Sequence, residues 1–177
     1  MYKKSTWSLF LLLAMTFLMA ACSAENEEGT KAKSVDNAEK YADVFEVTDE
    51  IAHDFMVVKI EQNYPEILKY LSSSGIEELK EDREYLLERH RLPGEFEKID
   101  GNYELRRYDN FYNAEDEEVY YRYRTPDNKG VMVNSWIVLM KNEDDEWKVR
   151  SYLDSRPEKI NDGNAETGTI LHKLPEE

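Results

Sequence analysis

The chain predicts an α+β fold, with helices first and an antiparallel sheet after them. Two patterns carry that expectation. Apolar residues recur at helical spacing between Ile51 and Leu87, and beyond Leu92-Pro93-Gly94 the period changes to alternation. A third observation sets the scale: 177 residues, 41% apolar and 12% aromatic, with no internal repeat, suit one hydrophobic core and one domain.

The first element is not part of that core. Lys3 and Lys4 precede an apolar run from Leu9 to Met19, and the small residues Ala20 and Ala21 lead into Cys22, the only cysteine. The run is shorter than the roughly 20 residues a membrane-crossing helix needs, which disfavours a retained span. Leu18-Met19-Ala20-Ala21-Cys22 resembles the lipobox of a bacterial lipoprotein signal peptide. That resemblance implies a signal peptide over residues 1–21, removed on export, and lipidation (a palmitate-type acyl anchor) at Cys22. The competing explanations are an ordinary secretory signal with a chance cysteine, or a buried thiol acting as a small hydrophobe. A lone cysteine excludes an intramolecular disulfide, so the exported domain rests on its core.

Loss of Lys3 and Lys4 with the leader takes the net charge from −15 to about −17. So acidic a surface excludes nucleic acid as an expected partner, because binding it requires Lys and Arg against phosphates. It also repels anionic headgroups, so attachment to the membrane falls to the acyl chains. Residues 22–40 are polar and charged and read as a flexible tether, spanning some tens of ångströms as a coil.

The folded part is expected over residues 41–156. Thr48 offers a helix cap, Asp49 and Glu50 suit a helix N-terminus, and Ile51, Phe55 and Val58 share a face, so residues 49–63 are expected to be helical. Tyr64-Pro65 interrupts the helix, and Pro65 suits the first turn of a short second one carrying Ile67, Leu68 and Leu71. Ser72-Ser73-Ser74-Gly75 breaks that helix and caps a third, which carries Ile76, Leu79, Leu86 and Leu87 and runs to about Arg91.

Residues 103–108 and 118–124 then alternate as strands, and Thr125 to Gly130 forms a hairpin connection. Val131 to Met140 carries large side chains on both faces, which suits a central strand. An acidic turn over Lys141 to Glu146 leads to a last strand, 147–153, with Trp147, Val149, Ser151 and Leu153 on one face. These strands would form a meander. Residues 157–177 read as a polar C-terminal extension in which Ile170-Leu171 is the one pair able to dock.

Helix, Pro-broken short helix, third helix, then a sheet ending in Trp-Lys-Val is similar to the nuclear transport factor 2-like, or cystatin-like, superfamily. Tyr64-Pro-Glu-Ile-Leu-Lys-Tyr-Leu71 and Glu146-Trp-Lys-Val149 carry the likeness, which covers residues 48–154. It implies a cone in which a curved sheet wraps the long helix, and an extracytoplasmic binding or scaffolding role. Enzymes of the superfamily place Asp, His or Tyr inside the cone, but their catalytic set does not map onto this chain.

The residues themselves offer little catalytic chemistry. His53, His90 and His172 are far apart in sequence and form no metal-ligand motif, and His53-Asp54 reads as a solvent-facing pair. The acidic runs 115–118 and 143–146 and the segment Asn161-Asp-Gly-Asn164 lack the spacing of a calcium loop. No phosphate loop, serine elbow or Cys/His nucleophile pair is present, and no metal or cofactor is expected.

The candidate binding residues are Tyr120, Arg122 and Arg124. Alternation sends Val119, Tyr121 and Tyr123 to the core and these three to the opposite face, with Arg106 or Arg107 as a neighbour. An aromatic and basic face in an acidic protein suits an anionic or glycan ligand or a partner protein. The bland alternative is Arg–Glu pairing across strands with tyrosines in the core. The expected protein is therefore a lipid-anchored, extracytoplasmic, non-catalytic binding or scaffolding domain at the cell envelope, taking an envelope protein or small ligand. The alternatives are a small-molecule enzyme or carrier using the cone interior, and a purely structural interaction module. The oligomeric state is not encoded legibly.

Overall fold

A computed structural model describes residues 37–87, 101–127 and 129–175. The leader, Cys22, most of the expected tether, and the segment 88–100 with His90 and Leu92-Pro93-Gly94 lie outside the described residues.

Residues 37–40 are already helical, and the long helix α1 spans Ala42–Ile60. It begins seven residues before the expected start at 49 because its apolar stripe begins earlier: Phe45, Thr48, Ala52, Phe55 and Met56 are its buried positions. Thr48 is no cap. It sits inside the helix and its hydroxyl donates to the Val44 carbonyl at 2.9 Å, the i−4 bond that lets a threonine be buried mid-helix. Asp43 in the first turn and Lys59 in the last complement the helix dipole. The end is set before Pro65, by Gln62 at φ 55° and by the Asn63 N–H donating back to the Val58 carbonyl at 2.8 Å.

Helix α2 (Tyr64–Tyr70) starts with Pro65 in its first turn, as the missing donor of proline favours. Helix α3 spans Ser73–Leu87, and Ser72 caps it, its Oγ accepting the Gly75 N–H at 3.1 Å. The Ser72 hydroxyl also donates to the Arg150 carbonyl at 2.9 Å, and the Ser72 N–H donates to Val149 at 2.8 Å. The α2–α3 junction thus covers an edge of the sheet that would otherwise expose bare backbone.

Five strands follow: β1 (Glu104–Arg107), β2 (Glu118–Pro126), β3 (Met132–Lys141), β4 (Trp147–Val149) and β5 (Thr169–His172). They form one antiparallel sheet in the order β4-β3-β2-β1-β5. The expected meander holds for β1 to β4. Strand β4 is shorter than the expected 147–153, because the chain turns away after Val149 and returns at Asp154 to bridge Trp136. The β2–β3 connection closes with Gly130 at φ 77° and with the Asp127 carboxylate accepting the N–H groups of Lys129 and Val131.

The α+β order is therefore realised as helices packed on a five-stranded antiparallel sheet. Alternation divides the sheet residues between two cores. Leu105, Val119, Tyr121, Tyr123, Ile137, Leu139 and Val149 face the helices, where they meet Phe45, Phe55, Met56 and Ile67. Tyr108, Tyr120 and Val138 occupy the other face with Ile160, and Trp136 packs against them.

The second core corrects the reading of residues 157–177 as a mere extension. β5 adds a fifth strand on the free edge of β1, and the turns before it lay Ile160, 2% exposed, over the far face of the sheet. Burying one isoleucine side chain contributes about 2 kcal/mol. Ile170 and Leu171, the pair expected to dock, lie in β5, and Leu171 packs against the helix-face core.

Candidate functional site

Tyr120, Arg122 and Arg124 lie on one face of β2, away from the helices. Register places Arg106 directly opposite Arg122, Glu104 opposite Arg124, Val138 opposite Tyr120 and Trp136 opposite Arg122. Of the two expected neighbours, Arg106 joins this face and Arg107 goes to the other. Two arginines facing each other across adjacent strands repel unless carboxylates intervene. Glu104 and Glu166 do so.

Arg122 donates from Nη1 to Glu166 Oε1 at 2.8 Å, and from Nη2 to Glu166 Oε2 at 3.1 Å and Glu104 Oε1 at 2.9 Å. Arg106 donates from Nε to Glu104 at 3.3 Å and pairs through Nη2 with Glu166 Oε2 at 3.0 Å. Its Nη1 also donates to the Glu166 main-chain carbonyl. Such forked, charge-assisted bonds are the strong class of hydrogen bond. Burial alone would lower the Arg122 pKa, but the Glu166 and Glu104 hydrogen bonds outweigh it and raise it. The Glu166 carboxyl is correspondingly held below its ordinary range, chiefly by its hydrogen bond from Arg122.

The face is floored by aromatics and roofed by the chain's own residues 156–168. Tyr108 donates its hydroxyl to the Ala165 carbonyl at 2.7 Å, and its ring lies 5.5 Å from that of Trp136. Tyr120 donates to Glu118, and Lys159 lies over its ring at 5.6 Å. On this face, among the described residues, buried Arg122 Nε and Arg124 Nε have no hydrogen-bond partner. The structure thus gathers all three expected residues and adds Glu104, Arg106, Tyr108, Trp136 and Glu166. The addition of Glu166 has no local signal, since it lies 44 residues from Arg122.

A second polar cluster, missed from sequence, sits on the helix face. Arg107 bonds the carboxylates of Asp109 and Asp49. Thr169 donates to Asp109, while the Tyr121 hydroxyl lies 2.8 Å from Asp49 Oδ1 and 2.7 Å from Thr48 Oγ1. Burial raises the Asp49 pKa despite the opposing pull of Arg107 and Tyr121, and burial raises Tyr121 well above its ordinary range. For Arg107 the balance is reversed, its bonds to Asp109 and Asp49 outweighing burial. A usable signal did exist: Arg107 shares the alternation of Leu105, and an arginine facing a core demands buried carboxylates.

The remaining candidates are ordinary in their surroundings. His53 contacts Asp54 at 3.1 Å at a half-exposed position, and His172 stacks on Tyr103 at 3.9 Å. His90 lies outside the described residues. The acidic run 115–118 is a turn over 115–117 that leads into β2 at Glu118, the run 143–146 lies in the β3–β4 connection, and Asn161 to Asn164 closes on itself through Asn161 Oδ1 and Asn164 Oδ1. Among the described residues no group of three or more His, Cys, Asp or Glu could hold a metal ion. A shallow surface pocket of about 20 Å³ lined by Glu78, Leu79, Asp82, Tyr152 and Leu153 has room for a water.

The arrangement can therefore hold carboxylates by paired guanidinium groups on one face of the sheet, and it locks a helix to the sheet by a buried ion cluster on the other. Set beside protein-family models, curated proteins and solved structures, the chain matches none.

Proposed function

We propose that this protein is a non-catalytic binding domain, exported and tethered to the outer face of the cell membrane by a lipid on Cys22, that engages an envelope partner through the arginine-lined sheet face. The observation that carries this reading is the filling of the space between α1 and the sheet. Phe45, Phe55, Met56, Ile67, Tyr121, Ile137 and Leu139 occupy it and are almost wholly buried. A small-molecule enzyme or carrier needs a pocket of a few hundred cubic ångströms with converging polar groups. Here the polar groups between the layers, Asp49, Arg107, Asp109 and Tyr121, are consumed by one another.

In the finer reading, the sheet and α1 form the cone of the nuclear transport factor 2-like superfamily, packed shut and used as a scaffold. The acidic surface supports a role away from nucleic acid and anionic lipid, leaving the acyl anchor to supply membrane attachment.

Crosslinking in intact cells, followed by mass spectrometry of captured proteins, tests both halves. The expected result is membrane-fraction recovery with a reproducible envelope partner, lost to the soluble fraction or left as unprocessed precursor in Cys22→Ala. Acylated membrane attachment of Cys22→Ala would refute the anchor, and turnover of a small molecule by the purified chain would refute the non-catalytic role.

A further inference from the structure

We propose that the edge of β1, together with the Arg106, Arg122 and Arg124 row, is an acceptor site for a glutamate-bearing extended segment of a partner protein, and that residues 165–169 of this chain are its resident occupant. The inference rests on the binding role proposed above and names the partner chemistry for that face.

The present occupant is bound as a peptide ligand is bound. Its main chain is read at three points, the Ala165 carbonyl by the Tyr108 hydroxyl and the Glu166 and Gly168 carbonyls by Arg106. Its one charged side chain enters the Arg106 and Arg122 fork. At Gly168 a Cβ would collide with the Arg107 carbonyl and come within 2.9 Å of Arg106 Cγ, so a residue with a side chain is excluded there. Thr169 then donates to Asp109, and from Thr169 onward the segment pairs with β1 as an antiparallel strand. The site therefore selects Glu, any residue, Gly, then a hydroxyl residue, followed by a strand. Strand addition supplies affinity through the backbone and specificity through the glutamate.

Two features make the occupant replaceable. Glu166 is 64% exposed on a stretch of turns, whereas the guanidinium side chains that grip it are only 7% and 4% exposed. The receptor side chains stand on strands, whereas the glutamate stands on turns just before the strand that joins the sheet. On the same face, among the described residues, buried Arg122 Nε and Arg124 Nε are without hydrogen-bond partners. A segment with a second acceptor beside its glutamate would satisfy what the resident leaves unmet. Because a tethered occupant acts at an effective concentration of about a millimolar, a free peptide competes visibly only when the resident is weakened.

The test uses the full chain in detergent micelles and a labelled peptide of residues 164–172, with a twin carrying Gln in place of the glutamate. Glu166→Gln is expected to bind the peptide about fivefold or more tightly than the wild type, and the Gln twin about tenfold more weakly than its parent, as loss of one charge-assisted fork implies. Arg122→Gln placed in the Glu166→Gln chain is expected to remove the preference for glutamate. Equal binding of the two peptides, or no binding to a folded Glu166→Gln chain, overturns the proposal. Equal competition by inorganic phosphate also overturns it, since the site would then serve free anions.

Hydrogen exchange of the unaltered protein gives an independent check that no variant can confound. Amides of β5 are expected to exchange at least about tenfold faster than those of β2 and β3, because the segment must leave to be replaced. Equal protection refutes displacement. A captured envelope partner together with a failed peptide assay sinks the acceptor site alone, whereas failure of both sinks the binding role as well.

Discussion

The two faces of the sheet solve the same problem with different permanence. Each buries arginine against carboxylates and aromatics. On the helix face, Arg107 is held by Asp109, whose side chain is 1% exposed, and by Asp49 from the middle of α1. On the far face, Arg106 and Arg122 are held by Glu104 from β1 and by Glu166 from a stretch of turns. The first lock joins the middle of α1 to the end of β1 and to the short turn at Asp109. The second has one carboxylate in a strand and one, Glu166, on turns whose main chain is held by Tyr108 and Arg106. Buried ion pairs are weak sources of stability, yet breaking one is costly. The same chemistry therefore acts as structure on one face and, in the reading proposed above, as recognition on the other.

The sharpest way to break this contrast is Arg107→Ala. It strands Asp109 and Asp49 in the core, and a loss of about 3–5 kcal/mol in denaturant unfolding is expected. A loss under about 1 kcal/mol would show that the helix-face cluster is no more than a surface pair.

A smaller effect is expected from Ile160→Ala, at about 2 kcal/mol, the low end for such truncations because the turns around it can collapse into the space. Native-state hydrogen exchange should register this as loss of protection in residues 157–172 while β2 and β3 keep theirs. Loss of protection throughout the sheet instead would merge the two faces into one cooperative unit.

The smallest effect concerns pH. The Glu166 carboxyl lies below its ordinary value of 4.5 because Arg122 donates to it. A depressed carboxyl contributes stability that is present above the unfolded value and is lost as pH falls through the folded one. The exposed side chain limits this to less than about 1 kcal/mol. Protection of β5 amides in the unaltered protein should therefore decline on acidification below about pH 4.5, and Glu166→Gln should flatten that decline. An unchanged acid profile in the variant would remove Glu166 from the hold on β5.

Much of the architecture was legible because it is written in local periods. Alternation in 118–124 separates Tyr121 and Tyr123 from Tyr120 and Arg122 without reference to any other part of the chain, and Pro65 and Ser72 punctuate the helices by their own chemistry. Boundaries were less legible where a residue has two uses. Thr48 has the chemistry of a cap and is instead a buried i−4 donor, which moved the start of α1 upstream. The Arg122 half of the candidate face was visible, whereas its Glu166 half was not.

By itself, then, the amino-acid order determined the α+β layout, the face of β2 on which each side chain stands, the acidic surface, and the single cysteine at position 22. Tertiary structure alone decided what covers those faces. It brought β5 to the free edge of β1, laid Ile160 over Tyr108, Tyr120 and Val138, and paired Glu166 with arginines 44 and 60 positions away. The reason is physical. Side-chain direction follows from the backbone period of one strand, but the partner that satisfies a buried charge is chosen by chain closure across the whole domain.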